Sequence, residues 1–280
     1  MGIIELKHGM GISSLSILLH ELIKLVYYAK CKNVVFLRIG TSGGIGLYLW
    51  LLVLVPQFYK SLIKTGVEQG TIVITEKAVD GLLRPFYELV SSKTLFSSVY
   101  RKYKENYRFK HFIVSYVIDL SLICHFMRST FFKFILGKVV RRPSICDREL
   151  VEELKAIAAQ EMSEFPSVSG TTMCALDFYE AQARLDGAFC DITPEQKGQF
   201  LNHLRDKGVV NIEMEAIAFA SMCHYSGIKG AIICVTLLNR LNGDQVSFSK
   251  EFSDQLQTRP QILAAKFIKK RLSQYEQAQL

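Results

Sequence analysis

Three short stretches of the sequence gather side chains capable of directed chemistry. The first, Arg38-Ile39-Gly40-Thr41-Ser42-Gly43-Gly44, sets a forked cation and a hydroxyl among closely spaced glycines. Such glycines let backbone N–H groups face an anion, and Arg38 and Thr41 add directed donors. The spacing is neither a P-loop nor a dinucleotide fingerprint, because the Lys and the G-x-G-x-x-G register are both missing. A tight turn needing positive φ, with Arg38 in a structural ion pair, fits the same residues. The second stretch runs from Asp177 through Phe178 and Gln182 to Arg184. Gln182 pairs a donor with an acceptor, Arg184 is a forked cation, and Phe178 offers a face for a planar heterocycle. A solvated helix start is the plainer alternative. The third is Glu213-Met214-Glu215. A carboxylate closing a buried strand must accept hydrogen bonds, which a sugar diol can donate while the Met thioether packs on the ring. A helix N-terminus or a buried Arg would satisfy the same carboxylates. Together the three offer an anion pocket, a base reader and a diol acceptor, the set that fits a nucleoside with phosphate.

Alternating helical and strand patterns must hold these residues. Ser13 or Ser14 can cap a helix whose apolar positions Leu15, Leu18, Leu19, Leu22, Leu25 and Val26 recur at three- and four-residue spacing. Residues 33–39 read as a strand that ends in the loop GTSGGIG, and 70–76 as another strand. Further on, 148–160 reads as a helix and 167–176 as a strand. Thr193, Pro194 and Gln196 open the next helix with a capping box. Strands at 209–214 and 231–238 flank a helix at 216–225. A last helix starts after Pro260 and buries Ile262, Leu263, Phe267 and Leu272. This alternation predicts a single α/β domain with a central mixed, largely parallel sheet flanked by helices, ligands gathering past the strand ends.

Charge is unevenly spread. The chain has 280 residues and a formal charge of +8. Residues 47–66 carry only Lys60 and Lys64, and 91–134 carry eight cations against Glu105 and Asp119, so these two stretches hold the whole excess. They also hold 15 of the 31 aromatic side chains, which marks them as material set into a neutral globular sequence. The apolar run 47–55 is too short to span a bilayer, and 112–126 contains Asp119 and His125. The run VYRKYKENYRFK could stack on and neutralise a nucleic acid, but it matches no binding module and fits a solvated loop. Neither a membrane nor a nucleic acid is therefore an expected partner. Seven cysteines without a C-x-x-C pair suit neither a disulfide framework nor a zinc site, and point to a reducing compartment. The N-terminal MGIIELKHGMG lacks the apolar core of a cleavable signal, so the cytosol is the expected location.

The blocks HGMGISSLSILLHELIKLVYYAKCKNVVFLRIGTSGGIG, TMCALDFYEAQARLDGAFC, NIEMEAIAFASMC and GAIICVTLLNRLNGDQ resemble those of the eukaryotic uridine phosphorylases, within the hexameric-type nucleoside phosphorylase family. The resemblance covers the neutral part of the chain almost throughout. It implies phosphorolysis of uridine without metal or organic cofactor, inorganic phosphate being the co-substrate, in a homo-oligomer. It assigns phosphate to Arg38 and Thr41, ribose to Ser42, Gly43, Met214 and Glu215, and uracil to Phe178, Gln182, Arg184, Leu237 and Leu238. Arg38, Gln182 and Arg184 are the catalytic set it implies. Leu237 and Leu238 stand where purine-specific relatives carry an aspartate. Against the family pattern, the domain 1–280 lacks the N-terminal strand, whose loop supplies a Gly and an Arg to phosphate, and the His and Arg given to a neighbouring site. It is also interrupted at 47–66 and 91–134. These departures leave a second reading, a non-catalytic chain keeping a base pocket as a binding or assembly module.

Overall fold

The computed structural model describes residues 3–46, 67–89 and 140–278. The stretches 47–66 and 91–134 expected as insertions lie outside the described residues. Two compact units make up the chain, Met1–Phe86 with Pro143–Leu280, and Tyr87–Arg142.

The larger unit is built on five strands, β1 (Val35–Gly44), β2 (Ile72–Val79), β5 (Ser167–Cys174), β6 (Val209–Glu213) and β7 (Lys229–Asn239). They close into a barrel in the order β1-β6-β5-β2-β7. Pairings β1–β7, β2–β5 and β5–β6 are parallel, whereas β1–β6 and β2–β7 are antiparallel. The sheet is thus mixed, as the alternation predicts, but its closure is a tertiary outcome. β7 is buried along nearly its whole length, which suits its unbroken apolar run between two strands.

One strand departs from the sequence reading. GTSGG is not a loop: β1 continues through Gly44, paired with β7 from Val35↔Lys229 to Gly44↔Asn239, with a bulge between Ser42 and Gly43. None of Gly40, Gly43 and Gly44 has positive φ. Their missing Cβ atoms serve close approach instead. A Cβ on Gly44 would lie 2.3 Å from the Val67 carbonyl oxygen, and one on Gly43 2.7 Å from Arg240 Cγ.

Helices pack on the barrel. α1 (Gly11–Tyr28) begins earlier than the serines suggest. Neither serine caps it, and Ser14 Oγ accepts from the Gly9 N–H instead (2.9 Å). Its Leu15 and Leu19 are buried, and it packs on α4 (Ala216–Ser226), whose residues Ala216 to Cys223 are all buried. α2 (Arg148–Glu161) buries Leu150, Val151, Leu154, Ile157 and Ala158 on one face. α3 (Pro194–Asp206) has the expected capping box: Thr193 Oγ1 accepts from Gln196 N (3.3 Å) and Gln196 Oε1 from Thr193 N (2.8 Å). α5 (Lys250–Gln277) runs through Pro260, starting where Ser249 Oγ accepts from Phe252 N (3.3 Å). A helix-interior Pro costs ~3 kcal/mol, which burial of Leu256, Pro260, Leu263 and Phe267 offsets. Ile262, expected inside, is exposed.

β3 (Phe86–Leu89) and β4 (Val140–Pro143) form a two-stranded sheet, with an ion pair between Glu88 and Arg141 (3.1 Å).

Candidate functional site

Arg38 projects inward from the middle of β1 and is 5% exposed. Its Nη1 lies 2.8 Å from Glu213 Oε2, and its Nη2 donates to Glu215 Oε2. The guanidinium lies over Gly40, where an added Cβ would meet Nη2 at 3.2 Å. Both carboxylates also serve helices. Glu213, at the end of β6, accepts from the N–H groups of Glu215 (2.9 Å) and Ala216 (2.8 Å) where α4 begins. Glu215 Oε1 accepts from the N–H of Gly11, the first residue of α1 (2.5 Å). Two carboxylates against one guanidinium leave this buried cluster with a formal excess of one negative charge. Burial alone would weaken the Arg38 charge, but Glu213, Cys234 and Glu215, in that order, raise its pKa. Burial raises the Glu213 pKa, against the pull of Arg38 and of the two backbone N–H groups. Hydroxyl donors are what such a cluster can still take up.

The second cluster follows β5. Asp177 accepts from the N–H groups of Tyr179 (2.7 Å) and Ala181 (2.9 Å), and Glu180–Gln182 form one 3₁₀ turn. This local turn carries Gln182, buried, and then Arg184, whose guanidinium stacks 4.3 Å from the Phe178 ring centre. Arg184 Nε (2.8 Å) and Nη2 (2.5 Å) donate to Asp186. That hydrogen bond raises the Arg184 pKa and holds the Asp186 carboxyl below its ordinary 3.8. Gln182 is gripped from behind by Arg240, which is fully buried: Nη1 donates to Gln182 Oε1 (3.0 Å) and Nη2 to its backbone carbonyl (2.7 Å). Burial lowers the Arg240 pKa, an effect that Asp244 partly counters. Arg184, Arg240 and Lys197 against Asp186 and Asp244 give this cluster a formal excess of one positive charge.

Arg240 also ties this loop to the end of β1. Its N–H donates to the Gly44 carbonyl (2.8 Å), and its side-chain stem passes where a Cβ on Gly43 would be. The candidate residues therefore come from the middle and end of β1, the end of β6 and the segments after β5 and β7. β1 and β7 run opposite to the other strands, so this is not one row of loops past parallel strand ends. Ser42 is buried, with Oγ 3.5 Å from the Val235 carbonyl. Thr41 is exposed and by strand alternation stands on the face of β1 opposite Arg38, so the structure does not set it beside the guanidinium. Gly43, Met214, Leu237 and Leu238 are half-buried, and Leu238 lies opposite Gly43 in the β1–β7 register. Sequence reasoning missed Arg240 and Asp244 as site residues. Their only trace is an Arg and an Asp four apart just past an apolar strand. Among the described residues no group of three or more His, Cys, Asp or Glu is placed to hold a metal ion, and no helix is long and apolar enough to cross a membrane.

A mixed α/β barrel flanked by helices, with an arginine–diacid cluster on β1 and β6 and a Gln–Arg loop after β5, defines a protein of the nucleoside phosphorylase fold. The chain belongs to the phosphorylase superfamily, which its residues 61–269 match. It is 38% identical over 270 residues to uridine phosphorylase 1 of Mus musculus, covering 96% of this chain and 66% of the mouse protein. It is 37% identical to uridine phosphorylase 2 of Homo sapiens, covering 96% of this chain and 65% of the human protein. The chain thus spans just under two thirds of the length of these curated relatives. Among solved structures it is similar to uridine phosphorylase from Schistosoma mansoni in complex with uracil, with 34% identity and a TM-score of 0.68. That match covers 94% of this chain and 69% of the schistosome chain.

Proposed function

We propose that the chain is a uridine phosphorylase, cleaving uridine with inorganic phosphate to uracil and ribose 1-phosphate. The observation that carries this reading is Arg240, which holds Gln182 and donates to the end of β1, the strand that bears Arg38, Ser42 and Gly43. The sequence likeness to uridine phosphorylases supports it. Gln182 and Arg184 hold uracil, with Phe178 beside them. Glu215 accepts from the ribose hydroxyls, with Ser42, Gly43 and Met214 lining the sugar. Arg38 contacts phosphate, and Thr41, on the opposite face of β1, takes no part in the scheme. A phosphate oxygen forms a bond to C1′ as the C1′–N1 bond breaks, and the bonding pair leaves with the base. The charge that grows on uracil is met by Arg184 and by the net positive cluster behind it. Leu237 and Leu238 present an apolar wall with no partner for a purine ring nitrogen, which favours a pyrimidine. Phosphate is the only co-reactant in this scheme; no metal or organic cofactor enters it. A homo-oligomer in the cytosol is the proposed working form, with neither nucleic acid nor membrane as partner.

The test is uracil release from uridine by the purified chain, followed by chromatography at increasing phosphate. Release that saturates with both phosphate and uridine is expected. Replacing Arg38 with Met should cut kcat/KM by about 100-fold or more. No release at saturating phosphate, with uracil still bound, would overturn the reading in favour of a base-binding module.

A further inference from the structure

Asp244 is the point at which three parts of the fold meet behind the base loop. Its Oδ1 accepts from Arg240 Nε (3.2 Å) and pairs with Nη2 (2.9 Å), and its Oδ2 pairs with Lys197 Nζ (2.8 Å) and accepts from the Leu185 N–H (3.1 Å). Those donors come from the segment after β7, from α3, and from the loop that carries Gln182 and Arg184. The carboxylate is 8% exposed and the Lys197 side chain 11%, so neither presents itself to a ligand. We propose that Asp244, with Lys197, is a positioning residue for base recognition, fixing through Arg240 which end of the Gln182 amide faces the base. The inference deepens the uridine phosphorylase reading and rests on it.

A glutamine amide rotated by half a turn fills the same space but exchanges donor for acceptor. Arg240 has donors only, so its Nη1 contact with Gln182 Oε1 favours this rotation, and Gln182 Nε2 keeps it by donating one N–H to the Asp177 carbonyl (3.5 Å). The Arg240 fork is itself long, and two of its nitrogens are turned to Asp244 while the other contacts go to Gln182. Without the carboxylate, Arg240 and Lys197 would be two buried cations near a third, Arg184, and repulsion would splay the fork. The Leu185 N–H contact ties the same carboxylate to the residue next to Arg184. With the amide fixed, Oε1 keeps a second lone pair for a ring N–H and Nε2 a donor for a ring carbonyl. Uracil presents that N–H, and cytosine presents a bare ring nitrogen in its place.

The experiment compares the full-length chain with D244N and K197M, measuring the Kd of uracil, cytosine and ribose 1-phosphate by titration calorimetry, with melting temperatures alongside. D244N should weaken uracil about 10-fold or more and narrow the preference for uracil over cytosine. Ribose 1-phosphate, whose groups fall to Arg38 and Glu215, should keep its Kd within about 3-fold. K197M, a change at one edge of the cluster, should move uracil in the same direction by less. Unchanged uracil binding in both variants would overturn the assignment. So would parallel losses for uracil, cytosine and ribose 1-phosphate, which mark a merely structural residue. If the unaltered chain binds none of the three, the uridine phosphorylase reading itself fails, and this assignment with it.

Discussion

At Gly43 the smallest residue stands where Arg240, the largest fully buried side chain among the described residues, passes. A Cβ there would meet Arg240 Cγ at 2.7 Å and Cδ at 2.8 Å, and that stem cannot swing aside while its guanidinium holds Gln182 and Asp244. Gly43→Ala should therefore lower stability by about 1–3 kcal/mol, seen as a lower urea midpoint, and weaken uracil binding along with it. The Arg184–Asp186 pair carries a pH signature. Asp186 has its folded pKa depressed below 3.8 by the Arg184 hydrogen bond. Its contribution to stability is thus complete above about pH 4 and is lost as the pH falls through the lower folded pKa. The stability gap between the unaltered chain and D186N should be present at about pH 5.5 and closed in strong acid, by urea titration at each pH. The residue types proposed for base reading could be seen in the sequence, because Gln182 and Arg184 sit two apart. The contact between Gln182 and Arg240 could not be, since 58 residues separate them.

Among the elements, those framed by local chemistry were legible and those framed by distant contacts were not. The Thr193 capping box opens α3 where its three residues predict, because all its hydrogen bonds lie within one turn. The start of α5 was hidden by Pro260, normally a stop signal, because the burial that carries the helix through it comes from the rest of the fold. The end of β1 was hidden by its glycines, which read as a turn and serve as packing. Asn239 bears on the 47–66 stretch. Its Nδ2 donates to the Gly46 carbonyl (2.8 Å) and to Glu68 Oε1 (2.7 Å), so the residues flanking the stretch share one partner. A chain with 47–66 replaced by a two-residue glycine link should therefore keep its cooperative melting transition within about 5 °C. A loss of cooperative melting would make that stretch part of the fold.

For the molecule as a whole, neighbouring strands share a buried polar row that no single strand announces. Thr172 Oγ1 donates to Asn211 Oδ1 (2.8 Å), so the proton in its 2.7 Å contact with Thr75 comes from Thr75. All three side chains are fully buried and come from β2, β5 and β6. Thr172→Val would strip both neighbours of a partner and should cost about 1–3 kcal/mol in equilibrium unfolding, more than the loss of one exposed hydroxyl. At this scale charge also sorts itself. The Arg38 cluster is left one negative charge in excess and the Arg240 cluster one positive, although the sequence outside 47–66 and 91–134 sums to zero.

The sequence by itself determined the α/β alternation, the residue types of the proposed nucleoside-and-phosphate site and the family blocks that carry them, because periodicity, capping and motif spacing are local properties of the chain. Only the tertiary structure decided that the sheet closes, that GTSGG is strand rather than loop, and that Arg240 and Asp244 stand behind Gln182. Those outcomes depend on which distant surfaces must share one buried space, and burial is a property of the packed molecule.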